Sequence, residues 1–467
     1  MSSQAPAIEQ ALRQAGWRPL LRAASLTGAA AVAGAVLSVV ATKIFAAMLG
    51  PAELAVLATL QQIRQAGLTG STLNGQTALV QGLSARSGRQ RREFLRTVLL
   101  LMGSATVLVA AVALGAPGWV AASTGLGAQR LGLVRWMVAP VIFSCALVFL
   151  SAMLNTLMSD REAIGRLALV QVASPAAMAI LAYPVARAAH RGYDGALVWW
   201  MAAAAAAAVA LAAMLIRRSP GGSWFRGSGQ WWNAPAARGF LTVAGSMLAG
   251  GAAASLVLLA ARARILHQQG FAVAGQFDAA WAISMNHVSL VLGSLQAYCL
   301  PALARTSDRA ERGAHLTRML TAAALAAAVV VCVLALLKPL VLALFYSDAF
   351  REASRYLRWT LVGDYLKVSS WVLSIPMLAS TDMRAFLAAD LSAYLVFAGG
   401  AAAAGYFRGS AEGTAIAFVL MYGAHLAVCG AITWRRYGFR PDRRTVLIWI
   451  TGLLAVVAVS AGTWGAG

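Results

Sequence analysis

Acidic side chains are scarce in this 467-residue chain: 16 Asp and Glu stand against 38 Lys and Arg, and charges of both signs make up only 12% of the residues. An ordinary globular domain carries roughly 25%, so an aqueous exterior is excluded for most of the molecule. Cysteine is nearly absent too. Cys145, Cys299, Cys332 and Cys429 all lie in apolar stretches without paired ligand spacing, which excludes a zinc module and a disulfide framework. There is no GxxxxGK[ST] loop, no HExxH and no GxSxG, and Asp160 and Glu162 share a short turn with Arg161 instead of forming a catalytic pair. No enzyme, no metal and no cofactor is expected on these grounds.

What the chain has in abundance is apolar length. Hydrophobic residues reach 60% and the mean hydropathy is +0.71. A crossing of the bilayer takes about 20 apolar residues, and that ruler predicts helices at 24–49, 54–83, 98–120, 134–158, 167–186 and 196–216. A polar, Gly- and Trp-rich linker, RRSPGGSWFRGSGQWWNAPAAR, separates them from a second set at 240–265, 274–303, 316–344, 356–379, 386–407 and 414–434, with a shorter thirteenth at 446–464. The expected organisation is a cytoplasmic segment 1–23, an N-lobe 24–217, an inter-lobe linker 218–239, a C-lobe 240–435 and a basic segment with the extra helix at 436–467. A signal peptide is not expected, because the first apolar run is too long and no cleavage site follows it.

The net charge of +22 is spread over short clusters between the apolar runs, not gathered into one patch, so topology explains it better than nucleic acid does. Of the 38 basic residues, about 24 fall in one set of alternate loops and about 8 in the other, which predicts a cytoplasmic N-terminus. The two halves also look like distant copies. MLGPAELAVLATLQQI leading to LSARSGRQRR parallels HQQGFAVAGQFDAAWAI leading to LARTSDRAER, at an offset of about 220 residues, and six helices per copy make the repeats parallel. The fold expected is an all-α polytopic membrane protein of two six-helix lobes around a central cavity. No loop is long enough to house an extramembrane catalytic domain.

Charges inside spans are costly and face a bundle interior or a hydrated cavity. They are Lys43, Arg64, Arg262, Arg264, Asp278, Lys338, Asp364, Lys367 and Asp390, and the surplus of cations suits a negatively charged passenger. Lys338, beside Pro339, is expected to snorkel to the interface. On the second helix Gln61, Gln65, Thr69, Thr72 and Gln76 recur every three or four residues, a polar stripe expected to line a hydrated path with Arg64 at its edge, or else to hold helices together. The eighth helix carries Gln276, Asp278, Ser284 and His287, the last either a proton carrier or a packing residue. Asp364 and Lys367, three apart, are expected to neutralise each other at least in part. Arg262 and Arg264 read equally as interface anchors or cavity lining.

The segments LGPAELAVLATLQQIRQAGLTGSTLNGQTALVQGLSA, QQGFAVAGQFDAAWAIS, SLQAYCLPALAR and LFYSDAFREASRYLRWTLVGDYLKVSSWVLSIPMLA resemble, in this order, the polysaccharide-lipid flippases of the multidrug/oligosaccharidyl-lipid/polysaccharide (MOP) superfamily. The last is similar to O-antigen and enterobacterial-common-antigen translocases. The resemblance covers roughly 24–435. It implies a MATE-like pair of rocking lobes that carries an undecaprenyl-diphosphate-linked oligosaccharide across the bacterial inner membrane, with Lys43, Arg64, Arg262, Arg264 and Lys367 at the positions that match a cationic cavity. A polysaccharide polymerase and a chain-length regulator are the protein partners it implies. The alternatives are a cation-coupled multidrug exporter of the same superfamily and a membrane glycosyltransferase or polymerase.

Overall fold

Inside hydrocarbon no water satisfies a backbone N–H or C=O, so helices that close their own hydrogen bonds are the natural way for this apolar sequence to cross. The computed structural model describes residues 17–156, 161–218, 229–305, 309–380, 382–407 and 410–462, and among these there is no strand. Ten helical stretches are long and apolar enough to cross a membrane by length and composition. Two of them, Val32–Ser84 and Ala234–Met285, each contain a glycine at which one helix ends and the next begins: Gly50 (φ 73°, ψ −176°) and Gly270 (φ 80°, ψ 175°). Only glycine takes up that backbone conformation without strain. The helix Ala353–Ala379, 27 residues, is also long enough to cross, its hydropathy lowered by Arg355, Arg358, Asp364 and Lys367. The described residues therefore hold six helices of spanning length up to Arg217 and seven from Ala234 onward. Gly50 and Gly270 stand 220 residues apart in matching turns, so the repeat is visible in the backbone itself.

Three predicted helices end earlier than hydropathy suggests. The second stops at Thr72, because Leu73 (φ 52°) and Asn74 (φ 49°) enter the left-handed region, and a new helix runs Gln76–Ser84. The freed groups are satisfied locally: the Asn74 amide donates to Thr69 O at 3.0 Å, and its side-chain Nδ2 donates to Met247 O at 2.7 Å. The third runs Gly88–Gly115, and Pro117, which lacks an N–H, opens a separate short helix to Thr124. The ninth runs Arg309–Leu336 and is followed by Lys338–Phe345 with Pro339 in its first turn. The thirteenth helix is Arg443–Gly462. Its start is capped by Asp442, which accepts from the Thr445 amide at 3.0 Å; hydrogen bonds from the Thr445 side chain and amide hold that carboxyl below the usual carboxylate range. Tyr365 Oη donates to Trp449 O at 2.8 Å and Trp449 Nε1 to Ser369 Oγ at 2.9 Å, so this helix is docked on Ala353–Ala379.

The chain divides into two compact units. The first comprises Met1–Ile44, Gly67–Pro117 and Gly132–Leu248; the second comprises Phe45–Ala66, Gly118–Leu131 and Ala249–Gly467. The division differs from a cut at the linker, because the turn around Gly50 packs with the later helices. In the first unit Leu79, Leu83, Phe94, Leu95, Phe149 and Met153 form the apolar core. There the end of the linker is held on the helix Gly88–Gly115: Arg96 Nη1 donates to Gly229 O at 2.6 Å, and Asn233 bonds Glu93 Oε2 at 3.1 Å and Thr97 Oγ1 at 3.0 Å. In the second unit Phe397, Phe418 and Met421 pack with Trp281. Outward-facing apolar side chains such as Ile180 (76% exposed) and Leu395 (74%) are what a lipid-facing surface requires.

Within the second unit the two glycine turns meet. A Cβ on Gly275 would lie 1.9 Å from the carbonyl oxygen of Pro51. Gly275→Val should therefore lower stability by about 1–3 kcal/mol, read as a lower Tm in detergent. Gly103→Ala, where a Cβ meets nothing within 4 Å, should not.

Candidate functional site

Asp278 lies on the helix that follows Gly270, and Arg262 lies on the helix before it, so the turn brings their charges face to face. Arg262 Nε donates to Asp278 Oδ1 at 2.6 Å and Nη2 donates to Asp278 Oδ2. The same guanidinium donates to Thr59 Oγ1, and to Ala55 O at 2.6 Å, tying the helix after Gly50 to the pair. Arg262 is only 1% exposed. A guanidinium buried this deeply and engaged on both edges is a structural clasp in this conformation and does not present itself to an anion. Gln276 adds a bond from Nε2 to Ala349 O.

The other predicted cations lie differently. Lys43, Arg64, Arg264 and Lys367 are each partly exposed, on helices that cross the membrane. Along the polar stripe the exposure varies and the helix breaks at Leu73 and Asn74 before Gln76. Gln61 and Gln65 are exposed, Thr69 and Thr72 are buried, and Gln76 is exposed on the helix that begins after the break. Thr72 Oγ1 donates to Leu68 O at 2.7 Å, a back-bond within its own helix. The side chain of His287 lies outside the described residues.

A second polar centre forms in the second unit where the helices Ala353–Ala379, Met383–Phe407 and Ser410–Tyr437 pack. His425 Nε2 is 3.3 Å from Asp390 Oδ1, its Nδ1 is 3.0 Å from Ser370 Oγ, and Cys429 Sγ is 3.5 Å from Nε2. Asp364, fully buried, accepts from Ser284 Oγ at 2.8 Å and interacts electrostatically with Lys367. Lys367 Nζ is 3.4 Å from Met285 Sδ and 5.5 Å from the centre of the Tyr422 ring, which turns its π face to the ammonium. Charge counting found Asp364, Lys367 and Asp390 but passed over His425, which is formally neutral and sits 35 residues from its partner Asp390 in the chain. A lone histidine in an apolar span was its one sequence signal.

A third cluster escaped the sequence reading entirely. Glu412, 4% exposed, accepts from Arg355 Nε (2.9 Å) and Nη2 (2.6 Å), from Arg358 Nη2 (2.6 Å) and from Trp359 Nε1 (3.1 Å). In sequence Glu412 stands next to a predicted helix end, in SAEGT, and reads as a loop residue.

No family model matches the sequence. A stretch of 160 residues, 33% of the chain, is 26% identical to the lipid III flippase of Escherichia coli (strain K12), and the same values hold for the lipid III flippase of Shigella flexneri. The chain covers 38% of the length of these curated relatives. Among solved structures, the lipid II flippase MurJ in an inward closed conformation is similar with a TM-score of 0.66 at 12% identity, over 95% of this chain and 99% of that one. An inward-facing multidrug resistance MATE family transporter of the MOP superfamily is similar with a TM-score of 0.68 at 15% identity, over 91% and 95%. The chain is thus a multi-pass membrane protein with the fold shared by MATE transporters and MurJ.

Proposed function

We propose that this protein is a flippase for lipid-linked oligosaccharide: it moves an undecaprenyl-diphosphate-linked repeat unit, of O-antigen, enterobacterial common antigen or exopolysaccharide, from the cytoplasmic to the periplasmic leaflet of the bacterial inner membrane. The observation that carries this reading is the 160-residue stretch aligned with lipid III flippases, because the fold alone serves drug exporters and lipid flippases alike. The distribution of charge supports it. A diphosphate cannot cross about 30 Å of hydrocarbon unaided, and partly exposed Lys43, Arg64, Arg264 and Lys367 offer donors on spanning helices, with Gln61 and Gln65 available to sugar hydroxyls. The prenyl tail stays in lipid throughout. The N-lobe 24–217 and C-lobe 240–435 are the bodies that rock in alternating access, the N-terminus is cytoplasmic, and a polymerase and chain-length regulator take the product onward.

Arg64→Ala should leave expression and insertion unchanged while surface glycan falls about tenfold or more, the loss of one charge-assisted contact, and lipid-linked glycan accumulates on the cytoplasmic side. Wild-type surface glycan from a well-expressed Arg64→Ala protein overturns the assignment of that residue. One observation favours a second reading, a cation-coupled multidrug exporter: the buried Asp364 and the partly exposed Asp390 are carboxylates on spanning helices, a type of group that binds cations. A deletion strain hypersensitive to cationic drugs with normal surface polysaccharide would establish that reading instead.

A further inference from the structure

Lys338 is expected from sequence to snorkel to the interface; in the structure its stem is packed and the residue as a whole is only 4% exposed. Among the described residues it has no hydrogen-bond or ion-pair partner, while the positive charge of Arg358 acts on it. An ammonium on a packed stem with no carboxylate beside it is stabilised by an anion that reaches its tip. Of the carboxylates around it, Glu412 is already engaged by Arg355, Arg358 and Trp359, Asp348 pairs with Arg351, and Glu352 acts on Arg355. Lys338, Arg351, Arg355 and Arg358 against Asp348, Glu352 and Glu412 leave one positive charge in excess. Beside it Leu336 (61% exposed), Leu340 (61%) and Leu344 (62%) face outward, a surface suited to acyl chains.

We propose that Lys338 and Arg358 form a binding site for the phosphate of an anionic membrane lipid, whose chains lie along Leu336, Leu340 and Leu344. The headgroup supplies the missing negative charge and the acceptor oxygens, and the leucines select a lipid over a free ion. On the topology proposed above the lipid belongs to the outer leaflet, but the site itself does not depend on what the protein transports.

The test is native mass spectrometry of the full chain from micelles of zwitterionic detergent titrated with phosphatidylglycerol or with inorganic phosphate, alongside thermal unfolding without either. Wild type should retain one phosphatidylglycerol that resists delipidation. Lys338→Gln should bind it about tenfold more weakly, Lys338→Arg should keep it, and Arg351→Gln, an exposed position nearby that pairs with Asp348, should not differ from wild type. In lipid-free micelles Lys338→Gln should melt no lower than wild type, since an uncompensated charge has been removed. Unchanged lipid retention in Lys338→Gln overturns the proposal, as does a lower Tm of that variant in lipid-free micelles, which would show the ammonium serving a contact within the protein. Displacement of the lipid by inorganic phosphate at equal concentration overturns the lipid as occupant in favour of a free anion.

Discussion

Arg262→Ala is expected to destabilise the protein by about 3–5 kcal/mol, the cost of breaking a buried ion pair from one side. The substitution leaves the Asp278 carboxylate, itself 10% exposed, without its counterion, and frees Thr59 Oγ1 and Ala55 O from the guanidinium that joins them to it. Thermal unfolding in detergent reads the loss directly. The double variant Arg262→Met with Asp278→Leu should recover most of it, because a well-packed apolar pair replaces a buried ionic one at little cost. A single variant that melts within about 0.5 kcal/mol of wild type but fails in transport would return Arg262 to a substrate-facing role.

Glu412→Ala should cost about 3 kcal/mol or more, since it strips the carboxylate from two guanidiniums at once. Most of the loss belongs to Arg358, whose side chain is 15% exposed; Arg355, at 53%, is screened by solvent and contributes less. Glu412→Gln keeps an acceptor for Trp359 Nε1 and should fall between alanine and wild type. Because the alanine variant enlarges the positive excess around Lys338, phosphatidylglycerol should restore more of its Tm than of the wild type's. An equal response in the two proteins would separate Glu412 from the lipid site.

The helices of spanning length and the two glycine turns are legible because each is local. About 20 apolar residues announce a span wherever they occur, and Gly50 and Gly270 mark turns through a backbone conformation that only their residue type allows without strain. The ends of helices were harder: hydropathy continues through Leu73, where the backbone leaves the helix and Asn74 takes up the freed hydrogen bonds. Partnerships were the least legible. Nothing in LLAARARILHQQG says that Arg262 meets Thr59, 203 residues away, and nothing in SAEGT says that Glu412 collects Arg355, Arg358 and Trp359. Counting charges finds residues that must be satisfied but not what satisfies them. That is why Arg262 and Arg64 looked alike in sequence and lie so differently, one sealed in a clasp and the other partly exposed on its helix.

The most direct test of the function is a translocation assay with the purified protein in liposomes, using a short-chain polyprenyl-diphosphate oligosaccharide placed in one leaflet and a membrane-impermeant lectin that reports its arrival in the other. A flippase makes the sugar accessible to the lectin over time, in proportion to the amount of protein and more slowly with Arg64→Ala. Sugar that stays in its original leaflet, in vesicles that nevertheless expel a cationic dye when an ion gradient is applied, would contradict the flippase reading and identify a drug exporter.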